Sequence, residues 1–479
     1  MATNKIISTP KFDWIRTGFV QFSLGVMLLA SFEGVGASEW WIPGAFLIIN
    51  GLLLLHPIYR AINRPAKVVL SDHFFVLTCA YFAYYVAGAL LLPFGPNDQA
   101  EYSMSYYNVD ATIAMRVAGV NALGFGIALM SSALAPKRLF SRLARSAVKM
   151  GSNTPIELTI SAFLVIGFVS YLYVLQFDLL QSQRDVVISG LWRSLKKLLL
   201  VAIVLSTAHK GLNARWFHSV AIFVALVHAF GGILMLNKSE VLLPMVSLML
   251  GYSWRLGVRR VLVPAITVIM LTYLMIGGAV TTARNLSGSA TSIDWDYRIS
   301  ILWDGIVGES NASQDGEDNP WSRFCYTPSQ AAALDFFDQN SGGDDFGKMG
   351  WVFVPRFLAP GKPVITAGGP EFHYKIRGNT DSSSGHGVFV NGYYNLGLLG
   401  VLIAGVGVGV MLGCTTVFAR EVFDAEAVQW LPFALMGSYM AFRIDGHFLP
   451  DYLGPFALLL YVFVGILLIR KLLPKRQVI

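Results

Sequence analysis

The sequence predicts an all-α polytopic membrane protein, with about twelve transmembrane helices and one large segment outside the cytoplasm. Three observations carry that prediction. Of 479 residues, 54% are hydrophobic and only 14% charged, against about 25% charged in soluble domains. The apolar residues form runs too long for the core helices of a soluble domain. Basic clusters punctuate every second connection between those runs.

The predicted spans are 17–36, 41–58, 73–94, 111–135, 156–177, 194–209, 216–236, 239–256, 261–283, 388–416, 428–446 and 453–472. At 1.5 Å per residue each can cross a hydrocarbon core of ~30 Å, with tilt or snorkelling where a run is short. Arg60, Arg64 and Lys67 follow the second span, and Lys137, Arg138, Arg142, Arg145 and Lys149 the fourth. Lys210 and Arg215 follow the sixth, Arg255, Arg259 and Arg260 the eighth, and Arg420 the tenth. Arg470, Lys471, Lys475 and Arg476 close the chain. The positive-inside rule places all of these, and both termini, in the cytoplasm.

The opposite connections are short except one. Residues 284–388 separate a nine-span unit (1–283) from a three-span unit (389–479). This segment is acidic and turn-rich, as in Ser313-Gln-Asp-Gly-Glu-Asp-Asn-Pro320 and Ser341-Gly-Gly-Asp-Asp345. It is too long for a structureless connection and is expected to fold over the bundle. Cys79, Cys325 and Cys414 form no disulfide framework or metal-ligand spacing. The first apolar run lacks a convincing cleavage site and reads as a retained helix. The chain contains no GxxxxGK[ST], GxGxxG or HExxH motif, and no metal, cofactor or nucleic-acid partner is expected. The absence of an internal repeat disfavours transporters built from inverted halves.

Several cations fall where outward-facing helix ends should be poor in charge. They are Arg116, Arg184 in Gln181-Ser-Gln-Arg-Asp185, Arg193, Lys196, Lys197, Lys238, Arg284 and Arg443. Snorkelling explains any one of them. As a set at one depth they read as an anion site, most naturally for phosphate. Three of the eight histidines face outward: His373, His386 and His447. His228 lies deeper and reads as a hydrogen-bonded packing residue. His373 stands in Glu371-Phe-His-Tyr-Lys-Ile-Arg377, where a helix would set His373 and Arg377 on one face. Its candidate role is general base. His447 in Arg443-Ile-Asp-Gly-His447, or a carboxylate such as Glu371 or Asp445, competes for that role; His386, in a Gly/Ser-rich run, ranks last.

Before the tenth span come Trp351-Val-Phe-Val-Pro-Arg-Phe-Leu-Ala-Pro-Gly-Lys-Pro363 and Gly387-Val-Phe-Val-Asn-Gly-Tyr-Tyr-Asn-Leu-Gly-Leu-Leu-Gly400. These stretches resemble the Wzy-type oligosaccharide repeat-unit polymerases, related to the O-antigen ligases. The likeness in motif covers about 50 residues, and the rest is topological. The chain departs from many relatives at Asn237-Lys-Ser239, where they carry Ser-Arg-Gly, and near Asn391, where some carry an acid. The resemblance implies a GT-C-like glycosyltransferase of the bacterial inner membrane, with its large loop in the periplasm. It would join polyprenyl-pyrophosphate-linked units, donor and acceptor both in the bilayer, and a chain-length regulator is a possible partner. It also implies Arg356 and Lys362 as pyrophosphate ligands; Arg184, Lys238 and Arg443 join them by their shared outer depth, and Arg377 is a further candidate. The alternatives are a ligase using the same donor and a flippase of lipid-linked oligosaccharides.

Overall fold

A computed structural model describes residues 14–31, 41–95, 104–109, 113–151, 155–180, 192, 195–211, 213–235, 237–262, 264–269, 271–272, 300, 303, 324–355, 358–378 and 385–472. Among the described residues the chain is helical and contains no strand. The apolar helices are α1 (Trp14–Ser31), α2 (Trp41–Ile62), α3 (His73–Tyr81, continued by a π turn and Leu91–Phe94) and α4 (Ala114–Ser131). After the polar helix α5 (Lys137–Gly151) come α6 (Ile156–Leu180), α7 (Lys197–Ala208), α8 (Ala214–Leu234) and α9 (Lys238–Leu256). The loop supplies α10 (Thr327–Asp338) and α11 (Gly368–Arg377), and α12 (Val388–Asp424), α13 (Leu431–Phe442) and α14 (Gly454–Leu472) follow. Among the described residues six helices are long and apolar enough to cross a membrane: Ile42–Ile62, His73–Phe94, Ala114–Leu134, Ile156–Gln176, Ala214–Leu234 and Val388–Asp424. Trp14–Ala30, Lys197–Ala208 and Leu449–Gly465 are apolar but shorter. Much of loop 284–388, and the ninth expected span beyond residue 272, lie outside the described residues.

Helix α12 is the axis of the bundle. It packs on α4, α5, α10 and α13, while α6, α7, α8 and α9 form a neighbouring group. Its C-terminal part shares a core with α5 to α8 through Cys414, Phe418 and Val422, and its N-terminal part with α3, α4 and α13 through Phe389, Val408 and Leu412. Helix α1 lies along α4 at backbone contact, because a Cβ on Gly25 would fall on the backbone of Leu123. Small residues permit this approach between apolar helices, where lipid offers no hydrophobic penalty to drive packing.

One end of the bundle gathers the basic connections. Lys67 pairs with Glu426 at 2.6 Å, Arg145 with Glu421 at 3.1 Å, and Arg420 with Asp72 at 3.7 Å. Helix α5 belongs to this end, with Phe140, Ala144 and Ala147 buried against the bundle and Arg138, Arg142, Arg145 and Lys149 exposed. These cations set the expected orientation, and the structure places them along one helix. The described loop residues pack at the opposite end, called the loop end below.

The tenth span is not one continuous helix. Leu396 (φ −143°, ψ 21°) and Gly397 (φ 60°, ψ −145°) break α12 into 388–395 and a long remainder. The break strands the Tyr394 carbonyl, which accepts the Gly343 N–H at 3.0 Å. The Asn395 side chain accepts the Phe346 N–H at 3.3 Å. Gly343 of the turn 341–346 thus gives the Tyr394 carbonyl the donor that helical continuation would have supplied.

Candidate functional site

The site at the loop end is built on the turn after α13. Apolar residues run to Phe442; Arg443–Asp445 then tightens to a 3₁₀ turn, and Leu449–Leu453 makes a π turn into α14. Asp451 closes this turn. Its Oδ2 accepts the His447 N–H at 2.9 Å and its Oδ1 the Arg443 Nε–H at 3.2 Å. Arg443 also lies 3.6 Å from Asp445 and keeps its side chain 38% exposed. Asp445 Oδ2 accepts the Tyr326 hydroxyl at 3.1 Å, and the Asp445 carbonyl accepts the Gly387 N–H at 3.1 Å. Asp445 Oδ1 is buried without a hydrogen-bond partner among the described residues.

A second cation approaches from α7. The Lys197 ammonium sits over the Tyr439 ring at 4.8 Å, within electrostatic reach of Asp451 and Arg443. Its neighbour Lys196 is held by Glu240 at 2.8 Å, and Glu240 also binds His228 Nε2 at 2.7 Å. Tyr171 stacks on the His228 ring at 4.4 Å and donates to its carbonyl. His228 is a hydrogen-bonded packing residue, as its sequence context predicts, and the same network fixes where α7 begins.

Behind Asp445 lie two imidazoles. The His386 and His447 ring centroids are 4.7 Å apart, edge to face. Asn391, fully buried, contacts His386 Nε2 at 3.1 Å and His447 Nδ1 at 3.4 Å. Phe372 of α11 and Tyr394 of α12 close on the His386 ring at 4.4 and 5.1 Å. Burial, with His447 beside it, holds His386 well below the usual histidine range, so it is neutral at pH 7.

The other expected site residues are dispersed. His373 is buried on α11 next to Phe372, while Arg377, one turn on, points outward with its guanidinium 3.4 Å from the Tyr106 ring centre. Helix α11 forms as expected, but the two side chains part because Phe372 and His373 supply its inward face. Glu371 is exposed, 3.9 Å from the Lys348 ammonium. That ammonium also meets Asp344 at 2.8 Å and Asp345 at 3.7 Å, supplying the countercharge to the carboxylate cluster. Lys375 binds the carbonyls of Ser341 and Gly342 at 2.5 and 3.0 Å. Lys362 donates to the Val354 carbonyl at 2.9 Å. Arg184 and Arg356 lie outside the described residues, as does the side chain of Lys238. His447 and Arg443 are brought together; sequence reasoning missed Asn391, Asp451, Tyr326 and the partnership of His386. The only signal for His386 was its membership of the outward trio, and for Lys197 its place among the outward cations.

Comparison with protein-family models, curated proteins and solved structures gives no match to the chain.

Proposed function

We propose that the protein is a membrane glycosyltransferase that joins polyprenyl-pyrophosphate-linked oligosaccharide repeat units outside the cytoplasm. The observation that carries this reading is that both motif stretches dock on one turn. Val352, from the first, packs with Phe448, Leu449 and Tyr452, and its carbonyl accepts the Tyr461 hydroxyl at 3.4 Å. Gly387 and Asn391, from the second, bind the Asp445 carbonyl and the Phe448 N–H, each at 3.1 Å. Residues 443–453 are therefore where the stretches that resemble the polymerases meet cations, a carboxylate and imidazoles. The reading takes twelve spans, cytoplasmic termini and a GT-C-like bundle, and the gathering of basic connections at the end opposite the loop supports that orientation.

The chemistry follows from the groups present. A sugar hydroxyl of one lipid-linked unit attacks the anomeric carbon of another; the bond to the polyprenyl pyrophosphate breaks, and that group leaves with the electron pair. Arg443 and Lys197 stabilise the leaving anion, with Arg356 and Lys362 as the loop's cations. The hydroxyl proton passes to the Asp445 carboxylate, beside Arg443 at 3.6 Å. The test is purified protein in nanodiscs with defined lipid-linked units, reading product length and released polyprenyl pyrophosphate. A ladder of products supports the reading. Units bound but never joined, or moved across the bilayer unchanged, would overturn it.

A further inference from the structure

Asn391 touches two imidazoles at once, and its orientation is fixed from a third direction. Its Oδ1 accepts the Phe448 N–H at 3.1 Å, so its Nδ2 faces the rings. Nδ2 lies 3.1 Å from His386 Nε2 and 3.4 Å from His447 Nδ1. An amide NH₂ only donates, so each contacted ring nitrogen is the bare acceptor. His386 then carries its proton on Nδ1 and His447 on Nε2. A proton added at either contacted nitrogen would set N–H against N–H.

We propose that Asn391 is a positioning residue that locks His386 and His447 in opposite neutral tautomers, keeping the loop-end site's imidazoles uncharged. The lock stands on geometry alone; its consequence for turnover rests on the glycosyltransferase reading above. The charged and titratable groups around the pair are Asp445, Asp451 and Arg443 from the 443–453 turn, Tyr326 before α10 and Tyr394 on α12; α11, which lays Phe372 on the His386 ring, also carries His373. Asp451 already serves Arg443 and the His447 backbone. An imidazolium beside it would compete with Arg443 for that carboxylate and loosen the cation that faces the leaving group. Neutral rings leave that carboxylate to Arg443.

The experiment is nitrogen NMR on the full-length chain, labelled at histidine, in nanodiscs, with the two rings assigned by His386→Gln and His447→Gln. Each ring is expected to show one protonated and one bare nitrogen, in opposite tautomers. Each should keep that tautomer through the range in which an ordinary histidine takes its second proton. Asn391→Asp replaces the donor with an acceptor, so at least one ring becomes cationic at pH 7. Turnover of lipid-linked units by that variant should fall on the order of tenfold at pH 7 and recover as the pH is raised. A wild-type ring that titrates near 6.5, or carries its proton on the contacted nitrogen, overturns the lock whether or not the variant folds. Ring spectra unchanged in Asn391→Asp overturn it too, and a turnover loss that ignores pH removes its role in the reaction. A lock seen in a wild-type protein that joins no units leaves the lock standing and removes the glycosyltransferase reading.

Discussion

Asp338, at the last residue of the loop helix α10, accepts both terminal guanidinium nitrogens of Arg116, in the first turn of the apolar helix α4. The Tyr393 hydroxyl completes the group by donating to Asp338 at 3.0 Å. A second tie lies deeper, where Asn121 Nδ2 donates to Gln330 Oε1 at 3.0 Å. Five residues of α4 separate the two ties, or ~7.5 Å along the helix. Helix α10 is therefore seated N-terminus first between α4 and α12, and its start brings Tyr326 to Asp445.

Arg116 and Asp338 should couple in a double-mutant cycle. The side chains are 29% and 35% exposed, so the coupling is expected at the upper end for accessible pairs, ~1 kcal/mol. Arg116→Ala and Asp338→Asn would each raise protease cleavage in the loop, and the double variant would lose little more than either. Additive losses would mean that the ion pair does not hold α10 in place.

Gly397→Ala tests the break in α12. The φ of 60° with ψ of −145° belongs to glycine, and an added Cβ would stand 3.0 Å from the Phe337 ring. Strain of this kind costs on the order of 1–3 kcal/mol. Thermal unfolding in detergent should show a clear loss, whereas Gly350→Ala, with no atom within 4 Å of its Cβ, should be near neutral. Equal midpoints for the two variants would remove the break as a feature of the fold.

The sequence made the membrane helices legible because hydropathy is a local property: α2, α3, α4, α6 and α8 fall where the apolar runs put them. It hid the break at Leu396–Gly397, because Leu396-Gly-Leu-Leu-Gly400 is as apolar as the helix around it. It also hid the seating of α10, since Thr327–Leu334 is buried yet too short to read as a span. The basic face of α5 carries Arg138, Arg142, Arg145 and Lys149 at helical spacing, a signal that was present and used only for orientation. The site was less legible. Asn391 meets His447 across 56 positions and Tyr326 meets Asp445 across 119, and no spacing rule reaches that far.

Arg443 and Asp445 give the sharpest test of the reaction. Arg443→Ala removes a charged hydrogen-bonding partner of the leaving group, at ~1.5–3 kcal/mol, a rate loss on the order of ten- to a hundredfold. Arg443→Lys keeps the charge but loses the planar fork, so it should recover only part of that loss. Asp445→Asn should spare binding of lipid-linked units and cost ~10²–10⁴ in turnover. Asp451→Asn is the contrast: Asp451 closes the turn beneath both residues, so its loss should lower thermal stability as well as rate. Near-normal turnover by Asp445→Asn would remove Asp445 as the base, and unchanged polymer from Arg443→Ala would take Arg443 out of the site.

His386 should give folding a pH dependence of defined sign. Burial holds the folded imidazole neutral well below the ordinary value, with His447 reinforcing the effect. In the unfolded chain the same ring takes up a proton near pH ~6.5. Between those two values the unfolded state binds one proton more than the folded state, so stability rises with pH across the window. Equivalently, stability is lost as the pH falls below ~6.5, by up to ~1.4 kcal/mol per pH unit from this one group. Other histidines and carboxylates add their own slopes, so the informative quantity is a difference between two proteins. Urea unfolding of wild type and His386→Gln in the same micelles, at pH 7.5 and at steps below ~6.5, isolates it. The variant should be less stable at pH 7.5, because a buried ring is replaced by a smaller amide, yet its stability should fall less steeply with acid, by up to one proton. Parallel slopes would mean that the folded His386 takes its proton as readily as an unfolded one, which its burial against Phe372, Tyr394 and His447 does not permit.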